Sequence, residues 1–225
     1  MRLIHGNQGG LFFLSTHSWG DWRMSLEVYK GVTFQARCKR LALLWAYLVV
    51  SPTCRRSDMA DTMAKVTGYR PDVGQPCSGI ISPTGDKAVV HIHGRGYWKA
   101  AGGKSYAKVK AELEIYRLLQ ERRPVLFGYS EVSDVHDDGE HVSFFMREEP
   151  GVFVGDVHKP LEAVLPALKE FHGLTPEGLV HGDFKPWNVR WRTDGRPHFF
   201  DFEEAHHGDI QEDIECYRTL GGLRR

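Results

Sequence analysis

Short apolar runs divided by turn residues occupy the middle of the chain, and this pattern limits the possible fold more than any other feature. The runs cover residues 77–81, 88–94 and 95–100, and Ser, Pro, Gly and Asp lie between the first two. Runs of this length bounded by Gly and Pro are typical of strands joined by tight turns. The sequence therefore predicts a β-meander that begins at Cys77.

The sequence that follows the meander alternates between helical and strand-like patterns. Ser105 can cap a helix in which apolar residues recur every three or four positions. The predicted elements are a helix over 106–120, strands over 125–132 and 142–147 with an acidic turn between them, a helix over 160–172, and strands over 189–192 and 198–202. Strands, a helix, two more strands, a helix and short hairpins make an α+β order.

The first 75 residues have a different character from the rest. We predict helices over 34–50 and 58–66, so residues 1–75 are interpreted as a helical extension. The apolar stretch 41–50 is too short to span a bilayer, which needs about 20 residues. It belongs either to a buried helix or to a helix that contacts a membrane surface through residues 37–50, with basic residues at the headgroups.

Charge and cysteine usage limit the possible partners. The 225 residues contain 29 Lys plus Arg and 29 Asp plus Glu, and this balance argues against a protein that coats nucleic acid. Cys38, Cys54, Cys77 and Cys216 form no CxxC pair, which indicates free thiols in a reducing compartment. The N-terminus shows no signal-peptide pattern. We therefore expect a cytoplasmic protein, with the inner face of the membrane as the alternative.

Two polar segments flanked by apolar strands carry the chemistry. The first is 181–188, HGDFKPWN, and the second is 199–203, FFDFE. Transfer of a phosphoryl group to a hydroxyl needs a carboxylate near the attacking oxygen and oxygen ligands for Mg²⁺. A hairpin between the two segments would bring Asp201 back beside Asn188, so we expect both residues to lie close to Asp183.

These segments resemble a known pair of motifs. Residues 181–188 resemble the HxDxxxxN catalytic loop of the protein-kinase-like superfamily, and residues 201–203 resemble its metal-binding DFG element. Gly182 and Glu203 replace the arginine and glycine usual in protein kinases, and both resemble the aminoglycoside phosphotransferase branch. The compact plan is also similar to that of lipopolysaccharide kinases.

The resemblance implies a two-lobed kinase-like fold. Its N-lobe, an antiparallel sheet, would occupy residues 76–150, and a reduced, mainly helical C-lobe would occupy residues 151–225. Asp213 resembles the aspartate that begins a large-lobe helix and braces the catalytic loop.

The resemblance also implies the roles of the motif residues, with ATP and Mg²⁺ as cofactors. Asp183 would be the catalytic base, and His181 would brace its loop. Asn188 and Asp201 would hold Mg²⁺. Lys185 matches the lysine that meets the γ-phosphate in serine/threonine protein kinases.

Further matches lie upstream in the order that the family requires. Lys99 ends the third strand candidate and would hold the α- and β-phosphates, while Glu112, 13 residues later, would hold the lysine. The phosphate-covering loop would be the turn that contains Ser82, Thr84 and Gly85. It departs from the usual form of this loop because it has a single glycine.

The nature of the acceptor is open between three hypotheses. Gly182, Glu203 and the short stretch after Asp183 favour a kinase for a small molecule or a glycan. Lys185 followed by Pro186 favours a minimal serine/threonine-type protein kinase with a protein substrate. A nucleotide-binding pseudokinase is the third hypothesis, and the presence of every expected catalytic residue speaks against it.

Overall fold

The computed structural model describes residues 2–5, 11–14, 77–82, 84–92, 94–148, 153–154 and 159–221. The chain divides into two compact units. The first unit comprises Met1–Tyr106 and Ser133–Glu148, and the second comprises Ala107–Val132 and Glu149–Arg225.

Seven described strands form one sheet in the first unit. They are β1 (Arg2–His5), β2 (Leu11–Leu14), β3 (Cys77–Ile81), β4 (Lys87–Ile92), β5 (Gly96–Gly102), β6 (Val132–Asp137) and β7 (His141–Arg147). Their order across the sheet is β1-β2-β3-β4-β5-β7-β6, and the pairs from β1 to β7 are antiparallel. The predicted β-meander and the antiparallel sheet are confirmed.

Burial explains why the residues of β4 and β5 form strands. In β4, Ala88, Val90 and Ile92 are buried and the residues between them are partly exposed, which is the period of two of a strand with one covered face. Nearly all of β5 is buried between its two neighbouring strands. Gly96 in β5 has φ +146°, and a Cβ there would overlap the carbonyl oxygen of Met146. Glycine is required at this position because the backbones of β5 and β7 approach closely.

The start of the chain differs from the prediction. Residues 1–75 were expected to be a helical extension, but β1 and β2 are strands, and β2 pairs with β3 through Phe12 and Ile80. The edge of β3 presents unpaired backbone groups that another strand can satisfy. The helices predicted over 34–50 and 58–66, and the membrane contact through 37–50, lie outside the described residues.

The second unit combines helices with two small sheets. Its elements are α1 (Tyr106–Arg122, in this unit from Ala107), β8 (Phe153–Val154), α2 (Leu161–His172), β9 (Leu179–Val180), β10 (Val189–Arg192), β11 (Pro197–Phe199), β12 (His206–His207) and α3 (Ile210–Gly221). Strands β11, β10 and β8 form one sheet, and β12 pairs with β9. The two predicted helices and the strand over 189–192 are confirmed. Within the described ranges, no helix is both long and apolar enough to cross a membrane.

An aromatic cluster forms the core of the second unit. The Phe127 and Phe199 rings stack with centroids 4.6 Å apart, and the Phe171 and Phe202 rings stack at 5.5 Å. All four side chains are buried. Burial of each stabilises the fold by about 1.5–3 kcal/mol. The cluster contacts both polar segments, because Phe199 and Phe202 belong to the second and Phe184 of the first packs edge-on against Phe199.

Helix α1 belongs to the second unit and not, as predicted, to one N-lobe spanning 76–150. The Tyr116 ring packs edge-on against Phe202 with centroids 5.2 Å apart. The buried face of α1 is thus part of the aromatic core, although the helix follows β5 in sequence. Sequence order alone cannot reveal such long-range packing.

The strand predicted over 125–132 is wrong for most of its length, because β6 begins only at Val132. The backbone N–H groups of Val125 and Leu126 donate to the carboxylate of Glu170 in α2 at 2.9 and 2.8 Å. Gly128 makes an isolated bridge. These side-chain and single-bridge contacts replace a ladder, so the apolar run is a connection.

Two neighbouring boundaries also shift. Strand β6 runs to Asp137, so the acidic turn is confined to the residues before β7. Asp138 accepts hydrogen bonds from the N–H groups of Glu140 and His141, which lower the pKa of its carboxyl to about 2. The strand predicted over 198–202 ends at Phe199.

His198 makes the stability of the fold depend on pH. Burial, with the charge of Arg192 as a lesser cause, lowers the pKa of this imidazole to about 3. The unfolded chain takes up the proton near pH 6.5. Stability should therefore fall as pH decreases from about 6.5 to 3, by up to about 1.4 kcal/mol per pH unit from this group. Urea unfolding at a series of pH values in this range should show that the free energy of unfolding depends less steeply on pH in His198→Gln than in wild type. An unchanged dependence on pH would contradict the assignment.

Candidate active site

The segment 181–188 is held between β9 and β10 by a carboxylate from α3. Asp213, which is buried, accepts hydrogen bonds from the backbone N–H groups of His181 at 2.7 Å and Gly182 at 3.0 Å. Burial raises the pKa of Asp213, and these donors oppose that shift. The segment then turns through the short 3₁₀ helix Pro186–Asn188 into β10. Asp213 lies where its predicted bracing role requires.

His181 connects this segment to the one that contains Asp201. Its imidazole is buried, and burial lowers its pKa, so the ring is neutral at pH 7. Nε2 lies 2.8 Å from the carbonyl oxygen of Phe200. Because a carbonyl can only accept, Nε2 carries the proton and donates it to this bond. His181 thus contacts the backbone just before Asp201, which fits the bracing role predicted for it.

The backbone conformation of the segment requires glycine at position 182. Gly182 has φ +76°, and a Cβ there would overlap the carbonyl of Glu204. We expect Gly182→Ala to lower the free energy of unfolding by more than about 3 kcal/mol, from backbone strain plus overlap. The matched control is Gly195→Ala, at φ +86° with open space around a Cβ, which should cost about 1 kcal/mol. Equal losses in urea unfolding would show that the overlap is relieved.

Asp183, Lys185 and Asn188 are brought together as the sequence predicts. The Asn188 side-chain amide donates to Asp183 Oδ2 at 3.1 Å and to the Asp183 backbone oxygen at 2.9 Å. The Lys185 ammonium forms an ion pair with Asp183 Oδ1, which raises the pKa of the lysine. The Asp183 side chain is 27% exposed. Both oxygens of this carboxylate are therefore oriented, and solvent can still reach it.

Asp201 lies in the second segment at φ +65°, two residues after the end of β11. The Phe200 N–H donates to the Asn188 carbonyl at 3.1 Å, so the two segments lie side by side as predicted. The Asp201 carboxylate is grouped with those of Glu112 and Glu203, and one oxygen from each lies within 4.8 Å of the others. Sequence reasoning did not assign Glu203 as a ligand. Its position two residues after Asp201 was the available signal.

The oxygen atoms around these segments fit a divalent cation. Three carboxylates this close repel one another unless a cation or protons compensate. Carboxylate and amide oxygens are the ligands that Mg²⁺ prefers. Because the Asn188 nitrogen is used by Asp183, its Oδ1 is the atom that can face a metal. Glu112, Asp201 and Glu203 therefore form a carboxylate group that could hold Mg²⁺. The Asn188 amide oxygen is a further candidate ligand.

Lys99 and the turn between β3 and β4 lie in the first unit. Lys99 is 3% exposed and lies in β5 opposite Val89 and Phe144 of the adjacent strands. A buried lysine requires an anionic partner or a depressed pKa. Its place on a central strand matches the predicted site, and its contact with phosphate stays a prediction.

The turn predicted to cover phosphate forms hydrogen bonds within itself. Ser82 Oγ donates to Asp86 Oδ1 at 3.0 Å, and Thr84 Oγ1 donates to the same oxygen. The Thr84 bond is the main reason that the pKa of Asp86 is lowered. Gly85, at φ +76°, donates its N–H to the Ser82 carbonyl. The three predicted residues lie together, but both hydroxyls face a carboxylate, so the predicted phosphate contact rests on backbone groups.

Comparison with known proteins adds a family match to this geometry. Residues 147–217 match the model of the phosphotransferase enzyme family. The matched stretch contains Asp183, Asn188, Asp201 and Asp213, and it leaves Lys99 outside. No curated protein matches the chain.

Several solved structures are similar to part of the chain. A gentamicin complex of the aminoglycoside phosphotransferase APH(2")-IIa aligns at 16% identity and TM-score 0.43, covering 58% of this chain and 66% of that one. ADP-bound APH(2'')-Ib aligns at 16% identity and TM-score 0.42, with coverages of 58% and 67%. Monomeric WbdD aligns at 14% identity and TM-score 0.44, covering 62% of this chain and 37% of that one.

The chain thus spans about two thirds of the aligned aminoglycoside phosphotransferases and little more than a third of WbdD. The family model confirms the resemblance that the HGDFKPWN and DFE motifs indicated. Residues 147–217, which include the segment 181–188, are similar to the phosphotransferase enzyme family.

Proposed function

We propose that the protein is an ATP-dependent phosphotransferase that moves the γ-phosphate onto a hydroxyl of a small molecule or a glycan. The observation that carries the proposal is the Asp183 carboxylate, oriented by the Asn188 amide and paired with Lys185. The family match over residues 147–217 supports it. These contacts give one partly exposed base, an adjacent cation and a candidate metal ligand within one short loop.

In the proposed reaction Asp183 accepts the proton of the acceptor hydroxyl. The acceptor oxygen forms a bond to the γ-phosphorus, and the bond from that phosphorus to the β-γ bridging oxygen breaks, which releases ADP. Lys185 lies beside the carboxylate and can stabilise the negative charge of the group in transfer. Mg²⁺ held by Asn188 and Asp201 would neutralise phosphate charge when bound.

A minimal protein kinase is the second candidate, because Lys185 lies beside the proposed base at the position where serine/threonine protein kinases have a lysine that meets the γ-phosphate. Both candidates predict the same chemistry and differ in the acceptor. Label from γ-³²P-ATP that enters a purified protein, with none in small molecules, would favour the second.

The deciding experiment measures Mg²⁺-dependent ATP consumption and label transfer with a panel of sugars, core glycans and aminoglycosides. Turnover that rises with one acceptor supports the proposal and identifies the acceptor class. Nucleotide binding without turnover on any acceptor of this panel would shift the assignment to a protein substrate or to a pseudokinase, and absence of nucleotide binding would refute the proposal.

A further inference from the structure

The catalytic loop presents a large apolar ring to solvent. Trp187 is 38% exposed, although Pro186 and Asn188 on either side of it are buried. Among the residues that the structure describes, it is the only aromatic one in the exposed large hydrophobic group, whose other members are Val125, Leu126, Val135 and Val154. Leaving 38% of a tryptophan exposed forgoes part of the hydrophobic stabilisation that full burial would give, and a role in binding is a physical explanation for this exposure.

The exposed ring lies close to the proposed base. The Lys185 Nζ is 5.8 Å from the Trp187 ring centroid, within the range of a cation–π contact. The same ammonium is ion-paired with Asp183 Oδ1. The ammonium of Lys185 therefore lies between the carboxylate and the ring and contacts both. The Asp183 carboxylate and the Trp187 ring are thus separated by no more than these two contacts end to end, a span that a single small molecule can bridge.

We propose that Trp187 is the platform on which the acceptor lies, and that the acceptor is a pyranose sugar ring. This inference rests on the proposed phosphotransfer to a hydroxyl. A pyranose carries hydroxyl groups at its edge and C–H bonds on its faces. The face of an indole is electron-rich and attracts the slightly positive C–H hydrogens, while the sugar edge can reach the carboxylate. An open-chain polyol has the same hydroxyls and no rigid apolar face.

The alternative to a binding role is a structural one, in which the Trp187 ring only shields Lys185 from solvent. Two variants distinguish the structural role from the binding role. Trp187→Phe keeps an aromatic face, whereas Trp187→Leu keeps apolar bulk beside Lys185 without one. Leu126→Ala is the matched control, since Leu126 is an exposed apolar residue of the same unit, 47% exposed, outside the catalytic loop.

The experiment measures steady-state transfer from ATP to methyl pyranosides and to the corresponding open-chain hexitols, with the full chain. Trp187→Leu should raise the pyranoside KM about 10-fold or more. Trp187→Phe should remain within about threefold of wild type, and Leu126→Ala should match wild type. In Trp187→Leu the hexitol KM should change less than the pyranoside KM. Equal pyranoside KM values in Trp187→Leu and wild type would overturn the inference and leave the proposed function intact.

A binding measurement distinguishes failure of the platform from failure of the proposed function. Saturation-transfer NMR of methyl pyranosides on wild type and Trp187→Leu requires no turnover. If wild type consumes no ATP with any acceptor, the proposed function fails. Pyranoside binding that is seen in wild type and lost in Trp187→Leu would then show that Trp187 binds a sugar ring that is not a phosphate acceptor. Absence of pyranoside binding in wild type overturns the platform.

Discussion

Asp183→Asn should lower the rate of phosphate transfer by about 100- to 10,000-fold, the range that a positioned general base contributes. The amide keeps the size of the carboxylate but cannot accept the acceptor proton. It also removes the negative charge that holds Lys185. Nucleotide affinity should stay within about threefold of wild type, because the role proposed for Asp183 is towards the acceptor and not towards the nucleotide.

The measurement is single-turnover transfer from γ-³²P-ATP beside a nucleotide titration. Asp134→Asn is the control, because Asp134 is an exposed aspartate of the first unit, outside the proposed site. Full turnover in Asp183→Asn would show that this carboxylate is not the base. Loss of nucleotide binding together with turnover would instead indicate a damaged loop.

Asp201→Asn should weaken Mg²⁺-dependent nucleotide binding by about 100-fold or more, since loss of a direct ligand should cost at least as much as loss of an outer-shell partner. The Asp201 carboxylate lies close to those of Glu112 and Glu203, the proposed surroundings of the metal, so the loss of affinity should appear with Mg²⁺ and be absent when the metal is removed.

Titration of a fluorescent ATP analogue, with Mg²⁺ and with EDTA, measures this effect. Glu203→Gln tests whether the second acid is also a ligand, and Glu177→Gln is an exposed control in the same unit. Affinity in Asp201→Asn that still rises with Mg²⁺ as in wild type would contradict the assignment. A larger loss in Glu203→Gln than in Asp201→Asn would move the metal site toward Glu203.

The catalytic loop could be predicted from sequence because its geometry is local. Asp183 and Asn188 are five residues apart, and one 3₁₀ turn suffices to bring the amide onto the carboxylate. The meander from Cys77 was predictable for the same reason, since short turns join adjacent strands. In both places the residues that contact one another are close in sequence.

Contacts between distant segments were not predictable in this way. Strand β2 joins β3 across more than sixty residues of chain, and neither strand encodes its partner. The apolar run 125–132 has strand-like composition. Its Val125 and Leu126 N–H groups nevertheless donate to the Glu170 carboxylate and not to a neighbouring strand. The Ser82 and Thr84 hydroxyls were predicted to contact phosphate because a hydroxyl can donate to it, but in the structure both donate to Asp86.

The anchoring of the catalytic loop by Asp213 affects how a mutational scan of this protein should be interpreted. Asp213 holds the backbone N–H groups of His181 and Gly182 from more than thirty positions further along the chain. A substitution of Asp213 would lower activity in such a scan, and the loss would resemble the loss caused by a substitution of Asp183. The two causes separate by rescue: a variant with a displaced loop can regain function through second-site changes that restore its position. A variant that lacks the carboxylate proposed as the proton acceptor should not regain function in that way.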